Sequence, residues 1–157
     1  MTWIVDTCVL LDVRLNDATF GRSSAMCLAH LLPQGLAITS TTFVELAPAF
    51  RGDTALLEAF LDQVGVAHQA LPGSVQGLTP AWDADDTAHA FAAWHQHVQA
   101  RRASGGTIPR RPIADLFIAS VARRFTGVVT RNCAHFHAFN PNNAIRLVDP
   151  TQPSTWP

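Results

Sequence analysis

The sequence has no long hydrophobic run and few cysteines. No stretch of about 18 apolar residues is present to cross a membrane, and no basic stretch followed by a hydrophobic core marks a signal peptide, although 48% of the residues are hydrophobic. The three cysteines, Cys8, Cys27 and Cys133, form no Cys-x-x-Cys pair. We therefore expect a cytoplasmic protein with reduced thiols, no membrane association and no structural zinc.

Lysine and tyrosine are also absent, and all 11 basic residues are arginine. Because the net charge is −1, the chain lacks the strongly basic character of general nucleic-acid binders, so any contacts with nucleic acid must be local. Four arginines lie close together in the sequence and offer planar guanidinium groups that suit phosphate. They are Arg101, Arg102, Arg110 and Arg111. A solvated loop or ion pairing within the protein explains the same cluster equally well.

The chain of 157 residues is long enough for one packed domain, which we place at residues 1–149, followed by an irregular tail at 150–157. Short apolar runs predict five strands, at 2–5, 35–39, 65–71, 127–130 and 144–148. Helical spacing predicts helices at about 21–33, 41–50, 54–64, 83–103 and 112–125. Strands that alternate with helices predict an α/β fold of three layers, in which helices cover both faces of a mostly parallel sheet of about five strands.

Asp6 follows the first apolar strand in "TWIVDTCVLLD". Active groups in parallel sheets gather beyond the carboxyl ends of the strands, which is where Asp6 is expected. Its side chain could equally cap a short helix by accepting backbone N–H bonds. Asp12, at the end of the same stretch, is expected to be solvated.

Two further acids also have local explanations. Thr42 and Glu45 have the spacing of a helix capping box. Pro48 lies inside the same predicted helix and should kink or restart it. Asp115 falls in the first turn of the helix that Pro112 is suited to start, where the helix dipole favours an acid. That helix is apolar on nearly all sides, so a carboxylate buried there needs a cation or hydrogen-bond donors.

The predicted helix at 83–103 also has an apolar side, for which packing against the fold or a partner is a better explanation than base stacking. That side comprises Trp82, Phe91, Trp94 and Val98.

Taken together, the three acids suggest more than three separate caps. Acids at helix starts in a parallel α/β fold could converge on one pocket, where carboxylates repel one another unless a metal binds between them. Oxygen ligands of this kind suit Mg²⁺ or Mn²⁺.

The order of four motifs resembles the PIN-domain ribonucleases, and most closely the VapC toxins of bacterial toxin–antitoxin pairs. The motifs are "IVDTCVLLD", "STTFVEL", "PIADLFIASVA" and "VVTRNCAHF", and the resemblance extends over nearly the whole chain. The resemblance implies a PIN-like fold and endonucleolytic hydrolysis of RNA by a metal-activated water. Mg²⁺ or Mn²⁺ would be held by Asp6, Glu45 and Asp115 as the catalytic acids. A cognate VapB-like antitoxin and a homodimer are implied by the same resemblance.

The RNA would be contacted, on the same resemblance, by Thr7, Thr130, Arg110 and Arg111. The sequence departs from the family at His135, which stands where a fourth acid is usual.

Three interpretations of His135 remain open. It could ligate Mn²⁺, it could be a spectator while Asn132 supplies an oxygen, or the site could have lost its second metal. We expect a single-metal site centred on Asp6 and Asp115, with Asn132 or His135 assisting. His137 is expected at the surface.

Other protein classes fit the sequence less well. Haloacid-dehalogenase-type phosphatases need a second Asp where this chain has Cys8, and they rely, like response-regulator receivers, on a lysine that is absent here. No glycine-rich loop supports nucleotide hydrolysis. Two alternatives remain: a PIN-like protein that binds RNA or a partner without cutting, and a structural module whose acids are only helix caps.

Overall fold

A computed structural model describes residues 1–68, 82–140 and 144–157 of the chain. Five strands form one sheet in the order β3-β2-β1-β4-β5, and every pairing is parallel. The strands are β1 (Trp3–Val5), β2 (Leu36–Ala37), β3 (Val66–Ala67), β4 (Gly127–Val129) and β5 (Arg146–Val148). All five predicted strands are confirmed, although residues 69–71 of the predicted third strand lie outside the described residues.

Seven α-helices connect and flank these strands within the described ranges. They are α1 (Thr7–Arg14), α2 (Gly21–Leu31), α3 (Ser40–Leu46), α4 (Thr54–Gln63), α5 (Ala84–Ala103), α6 (Ile113–Ala122) and α7 (Cys133–His137). The five predicted helices correspond to α2 to α6. Neither α1 nor α7 is among the predicted helices, although a short helix after Asp6 was considered. The break expected at Pro48 is confirmed, because a 3-10 turn, Ala47–Phe50, follows α3.

Each face of the sheet carries its own hydrophobic core, which confirms the three-layer α/β/α fold. Side chains alternate along β1, so Trp3 and Val5 belong to one cluster and Ile4 to the other. The cluster of Trp3 and Val5 includes leucines of α2, α3 and α4, and the cluster of Ile4 includes residues of α5, α6 and α7. Buried strands of this kind are continuously apolar, which is why short hydrophobic runs identified them.

The strand order reverses at β1. From β1 the chain passes outward through β2 and β3, and it then returns to the other side of β1 to add β4 and β5. The two directions diverge between β1 and β4, whose carboxyl ends form the edge at which open α/β sheets bind ligands. The residues that follow these two strands, Asp6 and Thr130, therefore occupy the expected position of a functional site.

The C-terminal residues pack against the domain. Residues 150–157 include one 3-10 turn, Pro153–Thr155, and Trp156 packs against the hydrophobic cluster that contains Trp3. None of the helices in the described ranges combines the length and the apolar character that a membrane crossing requires.

Candidate active site

Asp6 lies where β1 ends and α1 begins, but its carboxylate does not cap the helix. Asp6 occupies the N-cap position of α1 without a side-chain capping bond. Thr130 Oγ1 instead donates a hydrogen bond to Asp6 Oδ2 at 2.6 Å, and Cys8 Sγ donates to the same oxygen at 3.1 Å. The explanation of Asp6 as a side-chain cap is therefore wrong, and its buried carboxylate is tied to the end of β4.

Glu45 is likewise free of the capping role that its spacing predicted. Thr39 caps α3, since its side chain accepts the backbone N–H of Thr42 at 3.2 Å. The predicted capping box of Thr42 and Glu45 is therefore wrong. Thr7 Oγ1 donates to Glu45 Oε2 at 2.5 Å, so the exposed Glu45 side chain joins α3 to the start of α1.

Asp115 is buried in the first turn of α6, as the apolar pattern of that helix predicted. Pro112 occupies the N-cap position, one residue earlier than its predicted place at the first helical position. The carboxylate is met by a histidine, because His135 Nδ1 lies 2.7 Å from Asp115 Oδ2. The hydrogen-bond donor that a buried Asp115 requires is thus supplied by α7, the helix that was not predicted.

The three acids lie close enough to interact electrostatically. Burial raises the pKa of Asp115 to about 6, and the negative charges of Asp6 and Glu45 act in the same direction. The hydrogen bond and the charge of His135 oppose that shift. Asp6, Glu45 and Asp115 therefore belong to one acidic site, in which burial first and the neighbouring negative charges second make ionisation of Asp115 costly.

The acids share a second property. Each carboxylate is held through one oxygen: Oδ2 of Asp6, Oε2 of Glu45 and Oδ2 of Asp115. Among the described residues, no hydrogen bond is donated to the other oxygen of any of the three. The site therefore presents free carboxylate oxygens whose orientation is fixed by their partners.

These oxygens fit a hard divalent cation. Mg²⁺ usually binds through one or two carboxylates and keeps several of its waters. A cation would offset the cost of ionising Asp115, whose pKa is raised by burial and then by the charges of Asp6 and Glu45. In residues 1–68, 82–140 and 144–157, no group of three or more His, Cys, Asp or Glu side chains is arranged so that it could bind a metal ion. The fit therefore rests on Asp6 and Asp115, with Glu45 as their neighbour.

The other residues expected at the site have defined positions. Thr7 and Thr130, for which the resemblance implies RNA contact, each donate a hydrogen bond to an acid. The backbone N–H of Asn132 donates to Thr130 Oγ1 at 2.9 Å, and no side-chain hydrogen bond of Asn132 occurs in the described part of the chain. His135 contacts the site directly, and His137 is exposed, as expected.

Cys8 is a neighbour of the site that the sequence did not indicate. Burial, followed by the charge of Asp6, raises the pKa of Cys8 to about 12. The thiol therefore remains protonated at neutral pH and acts as a hydrogen-bond donor to Asp6, which makes it a poor nucleophile.

Asp12 was expected to be solvated, and this expectation is wrong. Its side chain is only 4% exposed. Arg131 Nε donates to Asp12 Oδ2 at 2.7 Å, and Arg131 Nη2 donates to Oδ1 at 2.9 Å. Ser24 Oγ also donates to Oδ2 at 2.7 Å. Asp12 therefore anchors the segment after β4 to α1 and α2, a role set by residues far away in the sequence.

The arginines before α6 lie beside a cavity. Arg110 and Arg111 line it together with Trp94, Pro112 and Ile113. Arg101 lies in the last turn of α5, and its Nε donates to the backbone oxygen of Ile108 at 2.9 Å. None of the four clustered arginines forms an ion pair within the described ranges, which leaves the alternative of intramolecular pairing without support there.

Comparison with known proteins adds no relative. No protein-family model matches the chain, and no curated protein matches it.

Proposed function

We propose that the protein is a metal-dependent endoribonuclease that hydrolyses phosphodiester bonds of RNA. The observation that carries the proposal is that Asp6 and Glu45 both act electrostatically on the buried Asp115, while each of the three carboxylates has one oxygen without a hydrogen-bond donor among the described residues. Its position at the divergence of β1 and β4 is where this sheet architecture is suited to bind a ligand. The motif order that resembles the PIN-domain ribonucleases supports the same chemistry.

Asp6 and Asp115 would hold Mg²⁺ or Mn²⁺. Such an ion supplies activation of a water molecule and neutralises charge that develops on the scissile phosphate. Glu45 is more exposed than the other two acids, which suits it to contact water or substrate at the mouth of the site.

The surrounding side chains fix the direction of each acid before substrate arrives. Thr130 and Cys8 hold Asp6, Thr7 holds Glu45, and His135 holds Asp115. Partners of this kind orient carboxylate ligands and are costly to remove. Thr7 and Thr130 therefore serve the site through the acids that they bind.

The proposal extends to a biological role. By resemblance to the VapC toxins, the protein would be the toxin of a toxin–antitoxin pair, would act in the cytoplasm, would form a homodimer and would be inhibited by a VapB-like antitoxin. An apolar cavity of about 550 Å³ supports a protein partner, because exposed patches of this kind mark interaction sites. Its walls include Trp82, Phe91, Leu116 and Phe117.

One observation favours a second candidate, a related protein that binds RNA or a partner without cutting. His135 Nδ1 lies 2.7 Å from Asp115 Oδ2, so a histidine already occupies one oxygen of a carboxylate that the metal ion would need. A carboxylate that already bonds to a histidine is expected to bind a cation more weakly.

Cleavage of structured RNA in Mg²⁺, in Mn²⁺ and in chelator separates the two candidates. The informative variants are Asp6→Asn and Asp115→Asn, each of which removes one charge at almost unchanged size. Glu58→Gln on α4 removes one charge away from the site and serves as the matched control.

Metal-dependent cleavage that both Asn variants lose and Glu58→Gln retains is the expected result. RNA binding without cleavage in either metal would favour the second candidate. Cleavage that persists in both Asn variants would exclude the proposed site.

A further inference from the structure

A cavity of about 380 Å³ lies between α5 and the segment that leads into α6. Its walls are Trp94, Arg110, Arg111, Pro112 and Ile113. Trp94 and Ile113 also line the larger apolar cavity, so the two spaces adjoin. Trp94 packs partly against the hydrophobic cluster of α5 and α6, which agrees with the packing expected for this side of α5, and it also lines the cavity. The smaller cavity thus combines an indole ring with two guanidinium groups, and its volume is in the range of small-ligand sites, about 300–1,000 Å³.

The positive charge at this cavity is not balanced locally. Residues 87–114 contain four arginines and no acid. Arg110 is exposed, and Arg111 is half-buried. Arg111 Nε is buried with no hydrogen-bond partner among the described residues. An unpaired buried donor is costly, and a ligand that carries acceptor oxygens would remove that cost.

His97 provides an independent sign of the same local charge. The pKa of His97 is lowered by burial first, and then by the positive charges of Arg101 and Arg111. His97 Nε2 is also buried without a hydrogen-bond partner in the described part of the chain. The positive charges of Arg101 and Arg111 therefore both reach the buried His97, although the protein as a whole has a net charge of −1.

We propose that this cavity binds one unpaired nucleotide of the RNA, with its base against Trp94 and its phosphate on Arg110 and Arg111. The proposal rests on the proposed function and specifies its substrate class as single-stranded RNA. Aromatic side chains stack on any unpaired base, and guanidinium groups hold the backbone beside it. A base inside a duplex is not available to the indole ring, so paired RNA would lose this contact.

The cavity lies on a different side of α6 from the acidic site. Successive helical residues are about 100° apart around the axis, so Asp115 is about 200° from Ile113, which lines the cavity. Both residues belong to the first turn of α6. The strand would therefore pass over the start of α6, so that about the width of a helix, roughly 10 Å, would separate the nucleotide at Trp94 from the phosphate that is cut.

Binding can be measured apart from cleavage, by fluorescence anisotropy of a short labelled single-stranded RNA in excess chelator. The same RNA annealed to its complement is the second probe, and a glutamate-rich peptide is the competitor. The variants are Trp94→Leu, Trp94→Phe, Arg110→Gln and Arg111→Gln. Arg22→Gln makes the same charge change on the exposed surface of α2, which packs on the opposite face of the sheet.

We expect Trp94→Leu to weaken single-stranded binding about 5- to 10-fold, and Trp94→Phe to weaken it much less because an aromatic ring remains. Each of Arg110→Gln and Arg111→Gln should reduce the slope of log affinity against log salt by about 0.7, as expected for one lost phosphate contact to a single strand. Arg22→Gln should change neither quantity. Because the arginine variants retain the indole ring of Trp94 and its packing, they test the site even where Trp94→Leu fails to fold.

Several results would overturn the subsite. One is that duplex RNA binds as tightly as single-stranded RNA. Another is that the glutamate-rich peptide displaces the RNA, which would show binding by charge alone. A third is that the Trp94→Leu and Arg111→Gln proteins are folded and bind single-stranded RNA like wild type. Intact single-stranded binding together with no cleavage in Mg²⁺ or Mn²⁺ would refute the proposed function while supporting this subsite. Cleavage that needs Asp6 but is indifferent to Trp94 and Arg111 would do the reverse.

Discussion

Thr130 Oγ1 donates a 2.6 Å hydrogen bond to Asp6 Oδ2 and so joins the carboxyl ends of β4 and β1. Both side chains are buried. The same hydroxyl oxygen accepts the backbone N–H of Asn132 at 2.9 Å, which ties the start of α7 to this pair. A single threonine thus links the first acid to the helix that carries His135.

Replacing Thr130 by Val should destabilise the protein and disturb the site. Val has the shape of Thr without the hydroxyl, so Asp6 loses a donor and the free energy of unfolding should fall by about 2 kcal/mol, the value typical of a hydrogen bond to a charged group. Urea denaturation measures this loss. Thr130→Ser retains the hydroxyl and serves as the control. Because Ser lacks the buried methyl group of Thr130, the Val variant is judged against wild type, and a Val variant as stable as wild type would show that the hydroxyl contributes nothing.

Asp115→Asn should stabilise the fold at neutral pH while it removes activity. The pKa of Asp115 is raised in the folded state to about 6 from an ordinary value of 3.8. The folded protein therefore binds the proton more tightly, and the cost of ionising Asp115 appears as the pH rises from 3.8 through 6. Asn still accepts a hydrogen bond from His135 but carries no charge. The gain should be on the order of 1 kcal/mol.

The pH dependence separates this effect from simple packing. Free energies of unfolding measured at about pH 7.5 and about pH 4 should show the gain of Asp115→Asn at the higher pH and little or none at the lower. A gain of equal size at both values would contradict the electrostatic explanation.

Divalent metal should raise the thermal stability of the protein through the two buried acids. A ligand present at a hundred times its Kd stabilises the folded state by about 2.7 kcal/mol. We therefore expect Mn²⁺ or Mg²⁺ to raise Tm in wild type and in Glu58→Gln, and to have little effect on Asp6→Asn. Thermal unfolding with and without chelator is the measurement. Equal shifts in Asp6→Asn and wild type would place the metal elsewhere.

Replacing His135 by Asp should tighten metal binding. The change adds a negative charge beside Asp115, so the metal-free protein should become less stable and its affinity for Mg²⁺ should increase about tenfold. His135→Asn matches Asp in size and lacks the charge, so the comparison of these two variants isolates the electrostatic effect. Isothermal titration calorimetry provides both affinities. Equal affinities would mean that position 135 does not face the bound ion.

The sheet was predictable from the sequence because its strands are short, apolar on both faces and separated by helices of ordinary length. The local roles of the acids were not. Thr42 and Glu45 have the spacing of a capping box, yet Thr39 caps the helix and Glu45 bonds to Thr7, which is 38 residues away. Spacing along a chain describes neighbours within a turn, whereas these contacts depend on which strands lie side by side.

The same reason explains the other differences. Asp12 is paired with Arg131, 119 residues later, and no local pattern indicates such a partner. The helix α7 has only five residues, so it is too short to show a helical period. The convergence of Asp6 and Asp115 could be predicted because both positions lie at the same edge of a parallel sheet.

The position of β4 next to β1 also determines when the site can exist during synthesis. Asp6 and Thr130 are separated by 124 residues, and His135 is made later still. A growing chain on the ribosome therefore carries Asp6 and Glu45 for most of its translation without the strand that orients Asp6 or the helix that meets Asp115. The acidic site is therefore complete only after His135 has emerged, so the proposed ribonuclease activity would be absent from shorter nascent chains.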